Sequence, residues 1–231
     1  MKILVTGGLG FIGSHLSESL LLEKHTVIIL TRNLDTKSKI IKQLPKAKIE
    51  KVDVTNFQKF SNSIKKHKPD VIFHLAGETS HQNSFENPMD DVDVNTKSTL
   101  CILETIKNFL PKCKLIIGST FIVIGKPEKL PVNENSKCNP TTIYGANRLT
   151  SEHFCNIYHN VYGLDTIIFR ITNCFGPREQ YKTSKKNALN YLIYQSYNNK
   201  KVTIYNQGKF FRDVIFISDV ISALKIILKN G

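Results

Sequence analysis

At 231 residues, 41% hydrophobic and 22% charged, the chain has the make-up of a globular protein that can bury a core without disulfides or metal staples. No apolar run approaches a membrane span, so no membrane association is expected. Five scattered cysteines without a CxxC argue for reduced thiols and against a disulfide framework, and the seven histidines include no HExxH, so no metal site is expected either. The net charge of +13 is spread along the chain, Trp is absent and aromatic residues do not alternate with basic ones, so the charge reads as solvated surface that favours a small anion over nucleic acid.

The chain opens on Met1-Lys2 and runs directly into a strand, Ile3–Thr6. It lacks the charged, apolar and cleavage regions of a signal peptide, and a cytoplasmic location is expected. The strand leads into Thr6-Gly7-Gly8-Leu9-Gly10-Phe11-Ile12-Gly13-Ser14 and a helix over Ile12–Glu23. Gly7 permits a tight strand-to-helix turn, Gly10 lets backbone approach a pyrophosphate, and Gly13 lets the helix pack closely on the strand. The helix amino terminus then offers N–H groups and a partial positive charge to phosphates. A glycine triplet alone is weak evidence; one that follows the first strand and opens a helix is the context that dinucleotide binding requires.

The second strand, Val27–Leu30, should end on an acid if NAD is preferred, because a carboxylate holds the adenosine ribose hydroxyls. Thr31 stands there instead, followed by Arg32, whose guanidinium suits a 2′-phosphate. That favours NADP over NAD. In the alternative, Arg32 is a surface residue and Asp35 or another group serves the ribose.

Further along the chain, strands Ile49–Val52, Val71–Leu75, Leu115–Gly118 and Thr166–Ile171 alternate with helices Asn56–His67, Pro88–Asn108 and Tyr144–Tyr162. The strands are nearly continuous apolar runs, as in a parallel sheet covered on both faces. The order predicts an α/β fold, a Rossmann doubly wound parallel sheet with its ligand crevice at the carboxyl ends of the strands. The pattern turns irregular after Gly176-Pro177 until a returning helix, Ser218–Lys229. The predicted division is a dinucleotide-binding domain over 1–175 and a partial substrate lobe over 176–231.

Several segments, in order, resemble the NAD-dependent epimerase/dehydratase family of extended short-chain dehydrogenase/reductases, from the glycine turn to the end of the chain. Asp53-Val54 resembles its adenine-contacting segment. His74-Leu75-Ala76-Gly77 resembles the stretch that lines the dinucleotide. Ser84, Pro88 and Asn95 fall at its usual spacing on the next helix. Arg170-Ile171-Thr172-Asn173-Cys174-Phe175-Gly176-Pro177 resembles its RxxNxxGP segment, and Phe211-Arg212-Asp213-Val214 its RDF segment. The resemblance implies a cofactor site of Gly7, Gly10, Phe11, Ile12, Gly13, Arg32, Asp53, Val54, Leu75, Ala76, Gly77 and Asn95 for NADP or NAD. It implies a nucleotide-sugar substrate held by Ser119, Asn173 and Arg212, with Arg212 at the diphosphate.

The family's chemistry is hydride transfer at a sugar carbon. A tyrosine exchanges the hydroxyl proton, a Ser or Thr hydrogen-bonds the same oxygen, and a lysine supports the tyrosine and binds the nicotinamide ribose. Thr120 and Tyr144 match the first two. Arg148, four residues after Tyr144 and on the same helical face, stands where the lysine is expected. Tyr181–Lys185 and Tyr197–Lys201 share the YxxxK spacing but fall in the irregular lobe.

Two further departures bear on the reaction. Family members that dehydrate or decarboxylate sugars carry an acid after the catalytic Ser/Thr; Phe121 and Ile122 stand here, which favours an epimerase or keto-sugar reductase. The chain ends at Gly231 where the family continues, so a fragment, a truncated product or a minimal variant is expected. Three readings follow. The first is a nucleotide-sugar epimerase or reductase. The second, raised by Arg148, is a dinucleotide-binding protein without turnover. The third, resting on charge alone, is a nucleic-acid-binding module. A homodimer through the helices near Pro88–Asn108 and Tyr144–Tyr162 is the family's habit.

Overall fold

The computed structural model of the chain describes residues 1–34, 38–182, 188–203, 206–209 and 211–230. These fall into two compact units, Met1–Arg170 and Ile171–Gly231. The first is built on six strands, β1 (Lys2–Thr6), β2 (Thr26–Thr31), β3 (Lys48–Lys51), β4 (Val71–His74), β5 (Lys114–Thr120) and β6 (Thr166–Ile171). They lie in the order β3-β2-β1-β4-β5-β6. The pairs along β3-β2-β1-β4-β5 are parallel, with Val5 opposite Ile29 on one side and Phe73 on the other. The order reverses beside β1, which opens a crevice at the carboxyl ends of β1 and β4.

Burial explains why these strands are apolar throughout. Ile3, Leu4 and Val5 have no exposed surface, nor do Ile72, Phe73, Leu115 and Ile116. Helices cover both faces: α1 (Phe11–Leu22), α2 (Ser38–Gln43), α3 (Phe57–His67), α4 (His81–Glu86), α5 (Pro88–Asp91), α6 (Ser98–Phe109) and α7 (Ile143–Tyr162). One core cluster joins Leu4, Ile28 and Ile72 of the sheet to Phe60 and Ile64 of α3, Ile102 and Ile106 of α6, and Cys155 and Tyr158 of α7.

All six predicted strands form, and four of the predicted helices, Ile12–Glu23, Asn56–His67, Tyr144–Tyr162 and Ser218–Lys229, appear within a residue or so of their predicted ends. The predicted helix Pro88–Asn108 is interrupted. Pro88 begins α5, a π-helical turn spans Val92–Lys97, and α6 follows. A π turn inserts one extra residue and frees a backbone carbonyl from the regular ladder. Here the carbonyl of Asn95 accepts the hydroxyls of Thr99 and Ser151, the latter at 2.7 Å. α7 alongside supplies the second of those hydroxyls.

In the second unit, β7 (Asn173–Phe175) and β8 (Val214–Phe216) pair in parallel, and helices α8 (Ala188–Tyr197) and α9 (Ile217–Asn230) accompany them. α9 buries Val220, Ile221, Leu224 and Leu228, an i, i+4, i+8 stripe. Among the described residues no helix is long and apolar enough to cross a membrane, and no disulfide joins the cysteines.

Candidate active site

The glycine turn is shaped by two constraints. Gly7 sits at φ +66°, and a Cβ there would meet the backbone nitrogen of Ala76 at 2.9 Å, so both conformation and space require glycine. Gly13 lies in the first turn of α1, where a Cβ would overlap the carbonyl oxygen of Gly7 and come within 2.8 Å of Gly8 Cα. Helix α1 therefore lies directly on the turn. Its N-cap is Gly10, with no side-chain cap and no acid in the first turn, which leaves its amide groups for an anion. Gly7, Gly10, Phe11 and Ile12 are partly exposed, whereas Gly8, Leu9, Gly13 and Ser14 are buried.

The other predicted cofactor residues lie at the carboxyl ends of neighbouring strands. Arg32 is exposed just past β2, and the Thr31 hydroxyl donates to the Asn33 carbonyl at 3.2 Å. Asp35 lies outside the described residues. Asp53 follows β3 and accepts from the amide and the hydroxyl of Thr55, at 3.0 and 2.8 Å, beside the buried Val54. Leu75, Ala76 and Gly77 follow β4 and are partly exposed.

Beneath them His74 is fully buried. The Ser98 hydroxyl gives its hydrogen to the Val94 carbonyl at 2.5 Å, so its oxygen accepts from His74 Nε2 at 2.9 Å. Nδ1 is then the acceptor for the Thr6 hydroxyl at 2.8 Å, and Thr6 Oγ1 accepts from the Ala76 amide at 3.1 Å. This chain of bonds fixes one neutral tautomer and ties β1 to the loop after β4. Burial, with the positive Arg148 nearby, pushes the imidazole down to about 3.

Thr120 ends β5 and caps a 3₁₀ turn, Phe121–Ile124, accepting the Ile122 amide at 3.3 Å. Its neighbour Ser119 donates to Glu152 Oε1 at 2.5 Å, and Arg170 grips the same buried carboxylate through Nε and Nη2, the latter at 2.6 Å. Thr142 caps α7 by accepting from the Gly145 amide at 3.0 Å. That fixes the turn carrying Tyr144, which is 6% exposed, its ring 5.8 Å from that of His81. One turn on, Arg148 is 4% exposed. Its Nη1 donates to the carbonyl of Gly118 at 3.0 Å, and its Cζ lies 5.7 Å from the Tyr144 ring centroid. Asn147 and Ser151 bind the same helix to Thr96, Asp91 and Asn95.

Asn95 itself is fully buried, and its Nδ2 donates to the carbonyl of Glu78 at 3.1 Å. Its Oδ1 and the Nε of Arg148 have no hydrogen-bond partner among the described residues. A buried polar atom without a partner is costly, and a bound molecule that supplied the missing bond would relieve that cost. With the uncapped helix and the glycine turn, they make these residues a fit for a dinucleotide.

The structure thus gathers the glycine turn, Arg32, Asp53, Val54, Leu75, Ala76 and Gly77 at the strand ends, and Thr120, Tyr144 and Arg148 around the end of β5. Asn173 and Arg212 belong to the second unit. There Asn173 Nδ2 donates to the carbonyl of Asp213 at 2.8 Å, joining β7 to the exposed segment that carries Arg212. Sequence reasoning missed two neighbours. His81 faces Tyr144 from α4, a helix too short to show a period, and burial lowers its proton affinity. Glu152 is a buried acid whose role depends on Arg170, eighteen residues away in sequence.

The family model described as NAD dependent epimerase/dehydratase matches residues 3–231. A UDP-glucose 4-epimerase of Mycolicibacterium smegmatis is 30% identical over 96% of this chain and 72% of its own length. A dTDP-D-glucose 4,6-dehydratase of Dictyostelium discoideum is 35% identical over 100% of this chain and 56% of its own length. The UDP-glucuronic acid 4-epimerase of Bacillus cereus, solved with UDP-glucuronic acid and NAD, superposes with a TM-score of 0.89 at 29% identity, over 100% of this chain and 74% of that one. The match along nearly the whole chain leads to one conclusion: this chain belongs to the NAD dependent epimerase/dehydratase family.

Proposed function

We propose that the protein is an NAD(P)-dependent epimerase or keto-reductase acting on a nucleoside-diphosphate sugar. The observation that carries this reading is the buried Arg148 guanidinium, one helical turn from Tyr144 and bonded to the carbonyl end of β5 just before Thr120. Residues 1–175 hold the dinucleotide in this reading, and 176–231 contribute to the substrate site. The turn of Gly7, Gly10, Phe11, Ile12 and Gly13 takes the pyrophosphate. Asp53 and Val54 border the adenine. Leu75, Ala76, Gly77 and Asn95 line the rest.

A nicotinamide cofactor held by these residues would supply hydride-transfer chemistry at a sugar carbon. As phenolate, Tyr144 takes the proton of the sugar hydroxyl and, as the resulting phenol, gives it back, while the Thr120 hydroxyl hydrogen-bonds the same oxygen. Arg148 is the fixed cation beside the phenol. Asn173 and Arg212 hold the diphosphate. Ser119 supports the site from beside Thr120, its hydroxyl held by Glu152. Phe121 and Ile122 place no carboxylate in the turn after Thr120, which favours epimerisation or reduction over elimination.

The thiols of Cys113 and Cys155, raised by burial, fit a cytoplasmic enzyme, and the scattered positive charge fits an anionic small-molecule substrate better than nucleic acid. A homodimer through α6 and α7 is part of the same reading, since Ile157 and Val161 of α7 are 49% and 65% exposed.

The test is incubation of purified protein with NAD or NADP and a panel of UDP- and dTDP-sugars, with products resolved by chromatography and NMR. An epimerised or reduced sugar is expected. Tyr144→Phe should lower turnover by roughly 10²–10⁴-fold, the worth of a positioned proton donor, with cofactor affinity unchanged. Turnover that survives Tyr144→Phe would show the tyrosine misassigned. Cofactor binding without any turnover would favour a binding protein instead.

A further inference from the structure

Gly77 has no backbone reason to be glycine. It is absent from the positions with positive φ, unlike Gly7 and Gly125. What it has is a crowded Cβ position. A Cβ there would overlap Nη2 of Arg148, and would lie 3.0 Å from Arg148 Cζ and 2.8 Å from Asn95 Oδ1. The guanidinium has little freedom to retreat. Arg148 is 4% exposed, its other arm donates to the Gly118 carbonyl at 3.0 Å, and its Cζ stands 5.7 Å from the Tyr144 ring centroid.

A lysine in the same place ends in one compact ammonium and has no second arm to press on residue 77. We propose that Gly77 is a positioning residue matched to Arg148. Its missing side chain is what lets a guanidinium stand beside Tyr144 at the position where the family resemblance implies a lysine. This rests on the reading of Tyr144 and Arg148 given above. An added Cβ would also push on Asn95 Oδ1, so two buried atoms without a hydrogen-bond partner among the described residues, Asn95 Oδ1 and Arg148 Nε, would both be displaced.

The pairing is read from four proteins: the native chain, Gly77→Ala, Arg148→Lys, and the double variant. Thermal unfolding is measured without ligand, and NAD and NADP affinity by calorimetry. Gly77→Ala alone should lower the Tm by roughly 4 °C or more, the scale of overpacking in a chain of this size. It should also weaken cofactor binding by roughly tenfold. Adding Arg148→Lys to Gly77→Ala should recover the share of both losses that comes from the guanidinium, leaving only the contact with Asn95 Oδ1. Recovery of cofactor affinity by a second change one helix away would not follow from general destabilisation.

Losses in the double variant as large as those of the single changes combined would overturn the proposal. If Gly77→Ala does not fold, the double variant decides: a folded, cofactor-binding protein supports the pairing, and an unfolded one overturns it. Coupling in Tm and affinity with no sugar turnover in any of the four proteins would leave the pairing standing and remove the enzymatic reading.

Discussion

Arg32 and His74 show how differently two cationic residue types are used in one site. Arg32 is exposed at the end of β2 with its charge available to a ligand, beside a Thr31 hydroxyl that caps its own loop. One charged hydrogen bond to a 2′-phosphate is worth about 1.5–3 kcal/mol, so NADP should bind roughly ten- to hundred-fold more tightly than NAD. Arg32→Ala should erase that difference in calorimetric titration. The solved relatives that hold NAD set the contrary expectation, and equal or NAD-favouring affinity in the native protein would refute the role of Arg32.

His74 is held neutral by burial and by Arg148, down to about 3 against an ordinary 6.5. Between those values the unfolded chain takes up a proton that the native chain refuses. Stability is therefore full above about 6.5 and falls as pH drops toward 3. At about 1.4 kcal/mol per pH unit, the loss by pH 5 is about 2 kcal/mol. Urea unfolding at pH 7 and pH 5 should show a smaller decline in His74→Gln than in the native chain; His81, shifted the same way, keeps the remaining slope.

The decisive elements are the glycine turn with α1, and α7 with the π turn. α1 meets its strand so closely that Gly7, Gly8 and Gly13 have no room for a side chain. Gly10 is the exception, with a Cβ position near only the Gly7 carbonyl, at 3.0 Å, so a side chain there projects toward the space assigned to the pyrophosphate. Gly10→Val should abolish NAD(P) binding while leaving a folded protein by circular dichroism; undiminished affinity would sink the cofactor assignment. α7 was legible as a helix over Tyr144–Tyr162, and the structure adds its Thr142 cap and Gly163, which ends it at φ +68°. The π turn was not legible. Its extra residue serves the Asn95 carbonyl, and the hydroxyls that take that carbonyl include Ser151, 56 residues further along.

The whole molecule presents an apolar stripe that its own core does not use. Phe109, at the end of α6, is 59% exposed, and Ile157, Val161 and Tyr162 of α7 are 49%, 65% and 51% exposed. A second copy of the same stripe is the proposed cover, through paired α6 and α7 helices. Sedimentation at micromolar concentration should give a dimer, and Ile157→Asp with Val161→Asp a folded monomer. A monomeric native protein would refute the dimer.

The amino-acid sequence by itself determined the strand sequence, the doubly wound order, the glycine turn and the family. Those features are written in local terms: apolar runs for strands buried on both faces, helical periods, and glycines where backbone must turn or approach. It also placed Arg148 one turn from Tyr144. Only the tertiary structure decided what Arg148 touches, because Gly77, Asn95 and Gly118 come from different strands and turns. The same holds for the tautomer of His74, set by Thr6 and Ser98, and for Ser119, whose hydroxyl donates to the Glu152 carboxylate that Arg170 holds. A hydrogen-bond partner or a filled space between segments far apart in sequence leaves no period to read, since it depends on which chain ends the sheet brings together.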